Sequence, residues 1–288
     1  MNPFDYVSPS HLPEACEAMA LHGTDALLLS GGTDLNVALR HGHLTTPCVI
    51  DLKKVQELKP SIDRDGGGLR ISAQTTMTAL GKYLTDHALF PSLRDAAAVV
   101  GSIQIRNRAT LVGNICNASP AADTVPVLSA MGAEVEIYTA DGTRTRLVEH
   151  FIEGNRKIDL GPGEIVTAVR IPLPDHPRGC AFDRITRRRG VDLATCNIAV
   201  TVSPDEVVVA FGAVTPRPLV LRDQSGVLTS SDASAEDRAK VIDALASQAA
   251  PITDVRASAD YRTAMLSVIG ERALELAHKR LAKALADV

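Results

Sequence analysis

Seven residues divide this chain of 288: Leu173-Pro174-Asp175-His176-Pro177-Arg178-Gly179. Two prolines and a glycine in so short a run suit neither a helix interior nor a central strand. The texture differs on the two sides. Upstream, Ala26 to Leu29 and Cys48 to Leu52 read as buried strands, with helices at Pro13 to His22 and Leu35 to Arg40. Further strands are expected at Leu69 to Ala73, Glu134 to Thr139, Thr143 to Val148 and Glu164 to Pro172, with Asp141-Gly142 as a hairpin turn. Helices are expected from about Thr78 to Leu84 and from Pro91 toward Val100. Downstream, strands at Ala181 to Thr186, Thr195 to Val202 and Glu206 to Ala213 precede helix-rich stretches, Ala235 to Ala249 and Tyr261 to Ala286. Leu266, Ile269, Ala273 and Leu276 keep the spacing of one buried helix face. The pattern predicts an α+β chain. Residues 1–176 form one domain, in subdomains of about 1–58 and 59–176, and 177–288 form a second, a three-stranded antiparallel sheet with helices.

Composition removes several functions. A net charge of −4 gives no surplus for nucleic acid or anionic lipid. Trp is absent and aromatics are 3%, too few for a base-stacking platform. No apolar run approaches the roughly 20 residues of a membrane helix, and the start Met-Asn-Pro-Phe-Asp-Tyr lacks a secretory pattern, so a cytoplasmic protein is expected. The five cysteines are scattered without a Cys-x-x-Cys pair, which predicts reduced thiols and no metal or cluster site. The eight histidines are dispersed and receive no catalytic or metal role.

Two loops could carry chemistry. Ser30-Gly31-Gly32-Thr33-Asp34 follows a strand, and its glycines permit positive φ and close approach to the backbone. It reads either as an ordinary turn or as a nest of amides for a diphosphate. It is neither a Gly-x-Gly-x-x-Gly fingerprint nor a P-loop. The stretch from Ala109 to Asp123 is dense in small and hydrogen-bonding residues: Thr110, Gly113, Asn114, Asn117, Ser119 and Asp123 among them. It is either an irregular loop satisfying its own backbone or the wall of a ligand site.

Together, Ser-Gly-Gly-Thr-Asp-Leu and Ala-Thr-Leu-Val-Gly-Asn-Ile-Cys-Asn-Ala-Ser-Pro-Ala-Ala-Asp resemble the two FAD-binding motifs of the flavin subunit of molybdenum hydroxylases. That family includes the medium subunit of aerobic carbon monoxide dehydrogenase and the flavin region of xanthine dehydrogenase. The resemblance runs on through Glu164-Ile165-Val166, Arg187-Arg188-Arg189 before Asp192-Leu193-Ala194, Gly212-Ala213-Val214 and Tyr261-Arg262. It implies a two-subdomain FAD-binding fold of the vanillyl-alcohol oxidase and MurB type, followed by the family's C-terminal domain.

The resemblance also implies roles. Leu29 to Leu35, by way of Ser30, Gly31, Gly32, Thr33 and Asp34, would cradle the diphosphate from one side. On the other side Thr110, Gly113 and Asn114 would sit beside the diphosphate and ring, and Ser119 would also bind the cofactor. Asp123 would accept hydrogen bonds from the adenosine part, Val100 and Val166 would pack on the rings, and Arg184 would lie near the isoalloxazine. No residue of the chain is assigned a catalytic or metal role. Val112 stands where the family usually has Gly, a strained choice if φ there is positive. Arg184 stands where xanthine dehydrogenase has Lys, and Val191 where the vertebrate type has an acid. The implied function is electron transfer between a partner's clusters and an external carrier. The implied partners are a molybdopterin-binding large subunit and a two-iron two-sulfur small subunit, as a dimer of heterotrimers. The alternative is a stand-alone flavin oxidoreductase of the same fold. The run Arg187-Arg188-Arg189 is a docking patch or, like most exposed charge runs, a solvated face or an ion pair with a carboxylate such as Asp192.

Overall fold

The structure is a computed structural model and describes residues 2–230 and 232–286. The chain opens with β1 (Asp5–Val7), α1 (Leu12–His22), β2 (Leu27–Leu29), α2 (Leu35–His41) and β3 (Cys48–Asp51). These strands make a parallel sheet in the order β1-β3-β2. Parallel neighbours need a crossover, and α2 supplies the one between β2 and β3. Val49 faces Leu29 and Leu39 in a small local core, while Cys48 and Ile50 point into the main one.

The chain continues through β4 (Ile62–Asp65), β5 (Gly68–Ser72), α3 (Met77–Asp86), α4 (Pro91–Ala98), α5 (Ile103–Arg106), α6 (Leu111–Cys116) and α7 (Thr124–Ala130). Then come β6 (Glu134–Thr139), β7 (Gly142–Leu147), α8 (Val148–Phe151), β8 (Ile152–Gly154), β9 (Lys157–Ile158) and β10 (Ile165–Ile171). Five of these strands form an antiparallel sheet, β4-β5-β10-β6-β7. Five helices are inserted between β5 and β6, so the second candidate loop lies in a helical excursion from this sheet. Sequence pattern missed β4 because three of its four residues are charged; it is held by backbone pairing to β5 at a sheet edge.

The last third holds β11 (Gly179–Ile185), β12 (Cys196–Val202), β13 (Val207–Gly212), β14 (Leu219–Asp223), α9 (Ala235–Ala246) and α10 (Ala259–Ala286). The antiparallel sheet has four strands, β11-β12-β13-β14, where the pattern predicts three. The extra strand is a half-buried edge directly after Pro216 and Pro218, so no apolar alternation announces it. On α10, Leu266, Ile269 and Ala273 are buried as expected, but Leu276 is exposed and Ala277 continues the stripe. At 3.6 residues per turn the face has drifted by one position there.

Every residue of β12 is buried, because both of its faces are covered. Cys196, Ile198, Val200 and Val202 pack with α10 residues Leu266 and Ile269. Ala199, with Val208 and Ala210 of β13, joins the core of the N-terminal part, where α7 lies against β12 and β13. The proline-rich break therefore connects two parts that share a core. Arg280 adds a polar tie, donating to Cys180 O and to Asp95 of α4, both at 2.7 Å.

Candidate functional site

The first loop leaves β2 at Leu29 and enters α2 at Leu35. Both leucines pack in the local core and anchor its ends. Between them, the amides of Gly31 to Asp34 donate to no acceptor in the chain among the described residues. Gly32 has φ +75°. A Cβ on Gly31 would overlap the Arg108 carbonyl oxygen and stand 3.0 Å from its carbon. Gly31 is thus demanded by contact with the backbone just ahead of the second loop, and no ligand is needed to explain it. The Ser30 hydroxyl is buried without a partner.

The second loop is fixed to the sheet side by a bridge between Thr76 and Thr110, with Met77 N donating to Ala109 O at 2.8 Å. Thr110 then caps α6: its Oγ1 accepts from Gly113 N at 3.0 Å, and a side chain on Gly113 would crowd that hydroxyl. Val112 lies inside α6 with its side chain in the core, and its φ is not positive. The strain that a left-handed site would impose does not arise. Asn114 Oδ1 accepts from Thr124 Oγ1 at 2.7 Å.

Asn117 clamps the two loops. Its Nδ2 donates to Asp34 Oδ1 at 3.1 Å, and its Oδ1 accepts from Arg156. Asn117→Ala removes both contacts, and we expect a loss of about 1–2 kcal/mol in urea unfolding with weaker cofactor retention. Sequence reasoning singled out Asn117 only as a hydrogen-bonding residue of the second loop, with no role toward the first loop, and missed Arg156. Arg156 sits 39 positions from its partner in a turn with φ +60°, and no local pattern reports such a contact.

Asp123 and Arg184, expected at opposite ends of a cofactor, bind each other at 2.8 Å, both nearly buried. Asp123 Oδ1 also accepts from Asn197 Nδ2 at 3.1 Å. The pair ties the end of the second loop to β11 and β12. Burial pushes the Asp123 carboxyl up to about 6, against the opposing pull of Arg184 and Asn197. An acid whose folded pKa exceeds its unfolded value near 3.9 binds protons more tightly when folded. Its contribution therefore favours folding at low pH and declines as pH rises from about 4 to about 6. Asp123→Asn lacks this titration. The stability of the native chain relative to that variant should fall across that interval and level off above it, as read by urea unfolding at fixed salt.

The remaining predicted residues are more dispersed. Val166 is buried on β10 at a bulge, on the strand that α6 packs against. Val100 is half-buried behind α4, and its carbonyl accepts from Arg106 at 3.2 Å. Ser119 O accepts from Ala122 N at 3.0 Å. Thr33 follows Gly32 in the first loop and is half-buried. Among the described residues, no group of three or more His, Cys, Asp or Glu is placed to hold a metal, and no helix is long and apolar enough to cross a membrane. The five cysteines are free, and burial pushes Cys116 and Cys196 up to about 12, so both stay protonated.

A parallel α/β lobe carries the glycine loop, and that loop abuts the backbone just ahead of a second loop that opens on a capped helix. The family model described as the FAD binding domain in molybdopterin dehydrogenase matches residues 2–174, and that of the CO dehydrogenase flavoprotein C-terminal domain matches 181–277. The chain is 32% identical to the carbon monoxide dehydrogenase medium chain of Afipia carboxidovorans, over 96% of this chain and 97% of that one. It is 27% identical to the putative xanthine dehydrogenase FAD-binding subunit of Escherichia coli K12, over 94% and 96%. A crystal structure of Cu,Mo-CO dehydrogenase in its cyanide-inactivated form superposes with a TM-score of 0.89 at 29% identity, covering 97% of this chain and all of the matched one. The chain belongs to the FAD-binding subunits of the molybdopterin dehydrogenases, and its cofactor is FAD.

Proposed function

We propose that this chain serves a cytoplasmic molybdenum hydroxylase of three subunits, arranged as a dimer of heterotrimers, and that its two clamped loops hold the FAD. The partners are a molybdopterin-binding large subunit and a two-iron two-sulfur small subunit. Residues 1–176 would carry the cofactor and 177–288 would brace it. Support for the assembly is the full-length likeness to a carbon monoxide dehydrogenase medium chain. Copurification of molybdenum and iron with the native chain tests it; a chain that purifies alone and free of both metals contradicts it.

One observation carries the cofactor assignment: the orphaned Ser30 hydroxyl at the head of four amides that have no acceptor among the described residues. Buried polar groups are rarely left unpaired, and a phosphate oxygen would satisfy both kinds of donor. The residues therefore fit FAD. Ser30, Gly31, Gly32, Thr33 and Asp34 would hold the diphosphate with Thr110, Gly113 and Asn114 across from them. When bound, FAD supplies the redox chemistry, taking up and delivering electrons. The chain's own part is positioning. Leu29 and Leu35 fix the first loop, Thr110 orients α6, and the Asp34–Asn117–Arg156 contacts set the spacing between loops. Asp123, Asn197 and Arg184 lock the second loop to the C-terminal sheet.

Ser30→Ala gives a crossed signature. Removing an unsatisfied buried hydroxyl raises the melting temperature of the FAD-free chain, while losing a charge-assisted hydrogen bond weakens FAD binding by about tenfold or more. Equal FAD affinity in both proteins would remove Ser30 from the site.

A further inference from the structure

The run Arg187-Arg188-Arg189 is not used by the cofactor loops. It borders an open cleft of about 460 Å³ whose lining includes Thr186, Arg187, Thr195, Arg256, Ser258 and Tyr261. Two segments build the cleft, the β11–β12 connection and the approach to α10. They are joined where Arg256 donates to Ala194 O at 3.2 Å and Arg262 donates to Thr195 O at 2.7 Å.

Three observations single out this face. Of the thirteen exposed large apolar side chains among the described residues, five fall on these two segments and the first turn of α10: Val191, Leu193, Ile252, Val255 and Tyr261. Apolar surface gathered in this way marks an interaction site, unlike singly scattered side chains. With the buried Arg262 left out, residues 187–192 and 254–261 carry four arginines against three aspartates, on a chain whose net charge is −4. The placement of those charges is the third observation. Inside the cleft, Arg187 is paired with Asp192 at 2.9 Å and Arg256 with Asp254 at 2.6 Å. Next in the chain, Arg188 directs its Nε to the Val191 carbonyl, and neither it nor Arg189 has an ion-pair partner among the described residues. A small dianion would need free cations within the cleft. Unpaired cations beside exposed apolar side chains on the same segments instead suit a protein face, where charge steers the encounter and apolar contact holds it.

The geometry points to a docking surface for an acidic protein electron carrier, one that presents carboxylates around an apolar centre. This rests on the flavin-subunit reading above. The surface is continuous with the cofactor side of the molecule, because Arg184 Nη1, which holds Asp123 of the second loop, also donates to Asp192 O at 3.4 Å.

The test is binding of an oxidised acidic two-iron ferredoxin to the purified FAD-loaded complex, by calorimetry at low and at physiological ionic strength. Saturable binding that weakens with salt is expected. Kd should rise about tenfold or more in Arg188→Glu/Arg189→Glu and in Val255→Asp, while FAD content and reduction of a neutral quinone stay unchanged. No binding by the native complex, or an unchanged Kd in both variants with FAD present, overturns the docking surface alone. Tight NAD binding in the cleft, lost in Arg256→Ala and excluding the ferredoxin, overturns it too. A complex without FAD overturns the flavin reading, and this inference falls with it.

Discussion

Arg262→Ala should cost about 3–5 kcal/mol of unfolding free energy, the range seen when one partner of a buried ion pair is removed. Arg262 is fully buried. Its guanidinium donates to Thr195 O at 2.7 Å, Ala213 O at 2.9 Å and Asp254 Oδ1 at 2.6 Å. Those acceptors come from the start of β12, the end of β13 and the approach to α10, so one side chain ties the sheet to its covering helix. Truncation leaves two buried carbonyls without a donor and opens a cavity. Asp254 keeps Arg256, and those two arginines hold its carboxyl well below the usual carboxylate range. The loss should therefore fall mainly on the carbonyls. Arg262→Met refills the volume but not the hydrogen bonds, and should recover only the cavity part. Urea unfolding of both variants checks the division. A cost below about 1 kcal/mol for Arg262→Ala would mean that the carbonyls find other donors.

Gly31→Ala should remove most of the bound FAD. The backbone of Gly31 is not in the left-handed region, so alanine brings no φ strain, and the effect is steric. Its methyl would meet the Arg108 carbonyl oxygen and crowd Ala109 Cα at 3.1 Å. Those are backbone atoms with little freedom to yield. Overpacking of this kind costs about 1–3 kcal/mol. If the loops part to relieve it, the same energy appears in cofactor binding, where each 1.4 kcal/mol is about tenfold in Kd. The FAD-to-protein ratio after gel filtration, with the melting temperature of the FAD-free chain alongside, separates loss of binding from loss of fold. A variant that folds and keeps one FAD per chain would show that the contact between loops does not set the site.

What the sequence disclosed follows from the range of the forces involved. β6, α2 and α9 were legible because period and capping are local signals, and the order of strands and helices placed the chain in the α+β class. β14 and β4 were not, since edge strands are held by pairing with distant residues and carry no apolar alternation of their own. The glycine loop was visible at once, but the reason for Gly31 was not: the atom it makes room for lies on Arg108. In the same way, Asp123 and Arg184 were each identified by position in a motif, and only the fold shows that they meet 61 residues apart. The uncertainty over Val112 was resolved by a six-residue helix inside a stretch whose small polar residues read as irregular.

Amide hydrogen exchange of the chain with and without FAD tests most directly the proposal that FAD lies between the loops Ser30 to Leu35 and Thr110 to Asp123. The amides of Gly31 to Asp34, without an acceptor among the described residues, should exchange rapidly in the FAD-free protein and become protected with FAD, together with residues 110–114. Unchanged exchange in the first loop, with protection appearing instead around the cleft at Arg187 and Tyr261, would contradict it.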